Sequence, residues 1–291
     1  MPGRGDTPQR TSFRTIAVLT LVPVIGLVLF LGWLIFRRHA PAPAPKASGR
    51  GPRASGPPPT GPAVVPRPEA RGPRPEIVII IDDVGYEGQP IDRAMAIDPN
   101  FNFAVLPNST RASQVAERLH GQGFEILCHL PMEPRDNRVS PGSNAVLTSM
   151  SDTEIVATTR ENIAAVPHAS GVNNHMGSLA TSDRRVMTDV MRALPRGMYF
   201  IDSRTDGASI AARIAHEMNV KTATRQVFLD DVQSDAAVRH QVDLLSAAAR
   251  AHGIAIGIGH PHDVTLRVLA QAVPQLKAQG FAFVRASQAV N

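Results

Sequence analysis

At six places in this sequence a short apolar run ends in residues that can hold a metal ion or move a proton. Ile77–Ile81 runs into Asp82-Asp83 and then Val84-Gly85, and Phe124–Cys128 runs into His129, followed by Leu-Pro-Met-Glu133. Gly171-Val172 leads into Asn173-Asn174-His175-Met-Gly-Ser178, and Met198–Ile201 leads into Asp202-Ser203-Arg204-Thr205. Val227–Leu229 ends in Asp230-Asp231, and Ile254–Ile258 passes through Gly259 to His260-Pro-His262-Asp263. Imidazoles and carboxylates drawn from separate strands suit a divalent transition metal, most simply zinc. A catalytic zinc takes three protein ligands and keeps one position open for water, whose pKa it lowers to about 7. A carboxylate beside such a site can take a proton from that water, and a histidine opposite can give one to a leaving amine.

Each of these residues also has a plainer reading. Asp82 and Asp83 suit a turn or a helix cap, and Asp-Asp-x-Gly alone is a weak signal. His129 after an apolar run resembles a hydrogen-bonded core histidine, and Glu133 can cap a helix or pair with Arg135. Asn173 and Asn174 suit a turn, Asp202 can hold Arg204, and Asp230 and Asp231 can cap the next helix. His260 follows Gly-Ile-Gly, where a ligand can approach the backbone, whereas His262 fits the first turn of a helix. Recurrence shifts the balance towards function. In parallel α/β folds chemistry gathers at the C-terminal strand ends, and six such ends are hard to explain by capping alone.

The elements that would position them follow from periodicity. Ile77-Val-Ile-Ile-Ile81 is too short for a typical helix and too apolar for an exposed strand, so it reads as a central strand covered on both faces. Further strand-like runs are Phe101–Leu106, Phe124–His129, Gly171–Asn173, Met198–Ile201, Val227–Leu229, Ile254–Ile258 and Phe281–Val284. Helical patterns lie between them. Asn108 or Ser109 can cap one carrying Ala112, Val115, Ala116 and Leu119, and Ser151-Asp-Thr-Glu154 is a capping box. Val186, Val190, Met191 and Leu194 share a face, Ser234 precedes Val238, Val242 and Leu245, and Leu266, Leu269, Val273 and Leu276 mark the last helix. Regular alternation means βα units and a parallel sheet, and eight strands favour a closed or nearly closed barrel. Strand alternation points Cys128 away from His129 into the core.

The flanking chain differs in kind. Ile16–Phe36 is a 21-residue stretch without a charged side chain, flanked by Arg14 and by Arg37-Arg38. At ~1.5 Å per residue it covers a hydrocarbon core of roughly 30 Å, and the Arg-Arg-His-Ala after it is a poor cleavage site. It reads as an uncleaved signal anchor of the inner membrane, with residues 1–15 cytoplasmic and the remainder on the periplasmic, extracytoplasmic side. Residues 37–75 are rich in Pro, Ala, Gly and Arg and read as a disordered spacer, which leaves 76–291 as the folded domain. Residues 1–75 hold 11 of the 30 Lys+Arg and 2 of the 25 Asp+Glu, so the net +5 of the chain becomes −4 over 76–291. The domain therefore has no basic footprint for nucleic acid. A single cysteine, Cys128, rules out an intrachain disulfide.

In combination, Ile-Ile-Ile-Asp-Asp-Val-Gly, His-Leu-Pro-Met-Glu-Pro, Gly-Val-Asn-Asn-His-Met-Gly-Ser, Asp-Ser-Arg-Thr and Ile-Gly-His-Pro resemble the divergent polysaccharide deacetylase family over nearly all of 76–291. The resemblance implies a distorted β/α barrel that removes N-acetyl groups from carbohydrate with a metal ion. It makes Asp82 the counterpart of the base, Asp83 and His129 of metal ligands, and His260 of the late-strand histidine acid. Two departures stand out: Glu133 replaces the second histidine of a His-x-x-x-His motif, and Asn-Asn-His175 stands where an Arg-x-Pro motif is expected. The third ligand is then His175 or Glu133, with His175 favoured because imidazole is the commoner zinc ligand. Asn174, Asp202 and Arg204 are candidates for binding substrate. Trp33 lies in the apolar segment, and the domain has Tyr86 and Tyr199 as its tyrosines, so a short substrate is expected rather than a long glycan laid across aromatic platforms. The competing expectation is a barrel that binds an envelope glycan or partner without catalysis. A chain beginning at residue 76 should melt at the same temperature as one beginning at residue 40; a substantial drop would show that the spacer packs on the domain.

Overall fold

A computed structural model of the chain describes residues 74–291. The expected cytoplasmic segment 1–15, the anchor 16–36 and nearly all of the spacer 37–75 lie outside the described residues. Among the described residues no helix is long and apolar enough to cross a membrane.

Nine strands form one parallel sheet: β1 (Glu76–Val84), β2 (Asn102–Val105), β3 (Glu125–Met132), β4 (Gly171–Met176), β5 (Tyr199–Asp202), β6 (Thr222–Thr224), β7 (Val227–Phe228), β8 (Ile254–Gly259) and β9 (Ala282–Phe283). The order is β6-β5-β4-β3-β2-β1-β8-β7, with β9 added beside β1. Among the described residues the seven α-helices are α1 (Ile91–Met95), α2 (Ala112–Gly121), α3 (Asp152–Ala164), α4 (Arg184–Ala193), α5 (Ala211–Glu217), α6 (Asp235–His252) and α7 (Asp263–Ala278). All eight strand-like runs are strands. The extra one, β6, is Thr-Ala-Thr, which has no apolar run to betray it. The sheet curls until its two edge strands, β6 and β7, are consecutive in the chain. Arg225 N still donates to Asp202 O of β5, and Gln226 N already donates to Ile256 O of β8. One extended segment thus leaves one edge and joins the other.

The sheet has two apolar faces because side chains alternate along each strand. On β1, Ile77, Ile79 and Ile81 pack outward under the helices with Phe103, Ile126, Cys128 and Phe200. Val78 and Ile80 face inward with Ala104, Leu127, Tyr199, Ile201, Ile256 and Ile258. Continuing the inward rows past the apolar layer gives Asp82, His129, Asn173, His175, Ser203 and His260. Helix termini follow the sequence signals in part. Ser151 forms the full capping box with Glu154, and Ser234 caps α6 through Ala237 N. Neither Asn108 nor Ser109 caps α2, whose N-cap is Arg111 without a side-chain bond. Ser109 instead donates to Leu106 O, and Asn108 donates to Ser143 O.

The end of the barrel opposite the polar rows is filled. Gly171 opens β4 with no side chain because the Tyr199 ring occupies that space; a Cβ there would lie 2.2 Å from Tyr199 Cε2. The Tyr199 hydroxyl is anchored on Glu125 Oε1 at 2.6 Å, so the ring cannot swing away freely. Gly171→Ala should therefore destabilise the fold by about 1–3 kcal/mol through overpacking, read as a lower urea midpoint at unchanged m-value. Combined with Tyr199→Val it should cost less than the sum of the two single changes; strict additivity would mean that the two side chains do not compete for space.

Candidate metal centre and active site

Both carboxylates of Asp82-Asp83 reach the mouth because β1 breaks its register there. Its pairing with β2 shifts between Ile81 and Val84, and Asp83 sits at φ 56°. A regular strand would turn two adjacent side chains to opposite faces; the left-handed residue lets both face the same opening. Met176 at the end of β4 and Arg204 just after β5 are also left-handed, at φ 51° and 46°. Such positions cost on the order of 1–3 kcal/mol each and cluster at functional sites.

Asp83, His129 and His175 offer ligand atoms that all lie within 4.8 Å of one another. Asp83 Oδ1 is 3.2 Å from His129 Nε2 and 2.9 Å from His175 Nδ1, and the two nitrogens are 3.2 Å apart. Although so close, neither nitrogen is aligned to give that buried oxygen a hydrogen bond. Asp82 Oδ2 lies 3.5 Å from His129 Nε2, and His260 Nε2 lies 3.5 Å from Asp83 Oδ2 on the other side. Glu133 is elsewhere: its Oε2 accepts from Thr148 N and Oγ1, both at 2.6 Å, so it braces the loop after β3.

Asn173 organises the inner face of this group. Its amide nitrogen donates to both oxygens of Asp82, at 2.9 and 3.1 Å, and its Oδ1 lies 3.0 Å from His129 Nδ1. With the NH2 turned to a carboxylate, Oδ1 must accept, so His129 Nδ1 carries a proton. In the neutral ring the Nε2 lone pair then points at Asp83 and His175. A carboxylate oxygen and a ring lone pair converging on one spot is a donor set that fits a divalent cation, with Asn173 fixing the tautomer of one ligand from behind.

Electrostatics separate the two aspartates. Burial raises the Asp82 pKa, and the neighbouring charge of Asp83 adds to this. Burial pushes Asp83 the same way, but contact with His129 and His175 outweighs it and holds the carboxyl well below the usual range. Burial disfavours the charged form of His129, yet the negative charges of Asp82 and Asp83 win and raise its pKa. His260 is raised to about 9: burial opposes this, but hydrogen bonding and charge from Asp230 dominate, aided by Asp82 and Asp83. Asp230 accepts from His260 N at 2.7 Å, His260 Nδ1 at 3.0 Å and Thr265 Oγ1 at 2.6 Å. It therefore aims the imidazole with Nε2 into the mouth.

The candidate substrate-binding residues divide. Asn174 lines the cavity, but its side chain is committed to Ser203 N at 2.9 Å and Met176 O at 2.7 Å, so it shapes the rim. Asp202 lies on the opposite face of β5 from Ile201 and Ser203; it accepts from Arg204 N and Ser209 Oγ, both at 2.8 Å. Arg204 is exposed, and neither it nor Asp202 lines the cavity. The cavity measures about 400 Å³. Asp82, Asp83, His129, His175 and His260 form its polar side, and Pro134, Val139, Met176 and Phe228 its apolar wall. The sequence set Asn173 and Asp230 among the polar strand-end residues, with turn and cap readings beside them, but did not show their partners; the one available signal was the period of two that sets Asn173 on the same face as His175.

Comparison with known proteins gives this geometry a family. Over 217 residues the chain is 41% identical to the uncharacterised protein YibQ of Escherichia coli (strain K12), covering 74% of this chain and 67% of that one. An uncharacterised protein of Haemophilus influenzae is 38% identical over 196 residues, covering 67% of this chain and 69% of that one. A crystal structure of an uncharacterised protein from Agrobacterium tumefaciens C58 has the same fold, with a TM-score of 0.71 at 21% identity over 77% of this chain and 92% of that one. The family model described as divergent polysaccharide deacetylase matches residues 79–290, and the chain belongs to that family.

Proposed function

We propose that this protein is a membrane-anchored, extracytoplasmic hydrolase that removes N-acyl groups, acetyl above all, from an envelope carbohydrate with the help of a divalent cation, most simply zinc. The observation that carries the reading is the convergence of Asp83, His129 and His175 within 4.8 Å, with Asp82 and His260 on either side. Membership of the divergent polysaccharide deacetylases supports the reaction class. The 21-residue uncharged segment between arginines supports the anchor.

Asp83, His129 and His175 would hold the cation. When bound it would polarise the acyl carbonyl and acidify a water molecule. Asp82, buried and backed by Asn173, accepts the proton of the attacking water. His260, charged at neutral pH and steadied by Asp230, gives a proton to the nitrogen as the carbon–nitrogen bond breaks. The acyl group leaves as a carboxylic acid and the sugar as a free amine, so water is the only co-reactant. Pro134, Val139, Met176 and Phe228 keep competing water from one side of the cleft.

Zinc content of full-length variants tests the ligand assignment. Asp83→Ala, His129→Ala and His175→Ala should each lose the metal, whereas Glu133→Ala should keep it. Asp82→Asn should bind zinc and lose turnover, and His260→Ala should bind zinc and turn over roughly 10²–10⁴-fold more slowly. Full metal retention in all three ligand variants would sink the hydrolase reading in favour of a non-catalytic binding barrel.

A second test follows Asp230. In metal-free protein, Asp230→Asn should bring the His260 titration down from about 9 towards the ordinary 6.5, observed by imidazole NMR. A pKa raised in the folded state stabilises the fold fully below pH 6.5, and that contribution is lost as the pH climbs through about 9. Unfolding free energy should thus fall more steeply across that window in the native chain than in the variant. An unmoved titration would show that Asp230 is not what charges the imidazole.

A further inference from the structure

The left-handed Asp83 needs something to hold it. Where β1 leaves its register the Asp83 carbonyl and, beyond Val84, the amides of Gly85 and Tyr86 point into the same small turn. One side chain meets all three groups. Gln89 Nε2 donates to Asp83 O at 2.6 Å, and Gln89 Oε1 accepts from Gly85 N at 2.9 Å and Tyr86 N at 3.0 Å. A carboxamide suits this pattern because it offers a donor on one atom and two acceptor lone pairs on the other; glutamate has no donor and lysine no acceptor. Gln89 itself does not line the active cavity.

We infer that Gln89 is a positioning residue for the cation site: its amide staples the 83–86 turn so that the Asp83 carboxylate is already aimed at His129 and His175 before any cation arrives. This rests on the reading of Asp83 as a ligand. Freed from the staple, Asp83 relaxes towards regular strand geometry, in which its side chain turns to the face opposite Asp82. Gly85 fits the same account from the other side of the turn. It lies at φ 128°, and a Cβ there would lie 2.0 Å from Ser109 Oγ, so the turn is bounded by the Ser109 side chain on one flank and held by Gln89 on the other.

The test uses the full chain and zinc alone. Zinc affinity is measured by chelator competition, melting temperature on the metal-free protein, and amide hydrogen exchange at Gly85 and Tyr86. Gln89→Glu keeps the acceptor and faces the Asp83 carbonyl with a second oxygen; Gln89→Ala removes the staple. Both should weaken zinc by about 10–100-fold, the usual size of an outer-shell effect, and Gln89→Ala should unprotect both amides. Gly88→Ala is the control, since Gly88 sits in the same turn at φ 77° with nothing within 4 Å of a built Cβ. It should lower the melting temperature through backbone strain and leave zinc affinity within about threefold. Lowered melting with unchanged zinc affinity in Gln89→Ala would reduce Gln89 to a turn stabiliser and overturn the inference. If the native chain bound no zinc, the metal reading would fail by itself. Amide exchange would still judge the staple, and protection unchanged in Gln89→Ala would refute it.

Discussion

One buried amide sets the chemistry of the centre. Asn173 is fully buried and gives its hydrogens to Asp82 while its oxygen meets His129. Neither neighbour could sit there without it. A buried carboxylate lacking donors would take up a proton, and a buried imidazole lacking an acceptor would lose its preferred tautomer. Because the amide has an asymmetric pair of ends, it imposes opposite roles on two residues from different strands. Here a neutral side chain does the holding, and Asp82 keeps a raised pKa instead of one depressed by a guanidinium.

The remaining charges are balanced locally. Three carboxylates, Asp82, Asp83 and Asp230, face three imidazoles, His129, His175 and His260, within a few contacts of one another. These six side chains form one polar cluster at the mouth. Its two halves still differ in kind. Every Asp230 contact is an aligned hydrogen bond, so that carboxylate is satisfied by His260 and Thr265. Asp83 Oδ1 has close nitrogens but no aligned donor. The first arrangement is a finished orienting pair; the second is a donor set that a cation would complete.

Much of this was legible in the sequence, for a simple physical reason. A parallel barrel buries both faces of its strands, so a polar residue at the end of an apolar run is conspicuous, and Asp82, Asp83, His129, His175 and His260 all stood out that way. What stayed hidden were residues whose role depends on partners distant in sequence. Asn173 reads as a turn residue until Asp82, 91 positions away, is placed beside it. Gln89 reads as an ordinary loop residue until β1 is seen to break. Asp202 and Arg204 stood out for their charge, yet period-two alternation turns Asp202 off the inward face, and strand register could not be fixed from four residues. The cap expected at Asn108 or Ser109 failed because the helix starts later, with Arg111 at its N-cap position.

The geometry also limits how a ligand can come and go. Tyr199 fills the lower interior against Gly171, the terminal strand β9 pairs with the start of β1, and Asn291 exchanges backbone hydrogen bonds with Thr222. Val284 and Ala286 complete an apolar plug beneath the polar layer. A ligand therefore enters and leaves by the mouth alone, past Val139 and Phe228. That single-ended cleft of about 400 Å³ lies at the small end of the range for ligand pockets. A chain threading down through the barrel is thereby excluded. With one phenylalanine on the wall and no tryptophan among residues 74–291, little aromatic surface is available to grip neighbouring sugar units. Selectivity must then come from the group that enters the cleft and from the polar centre it meets there.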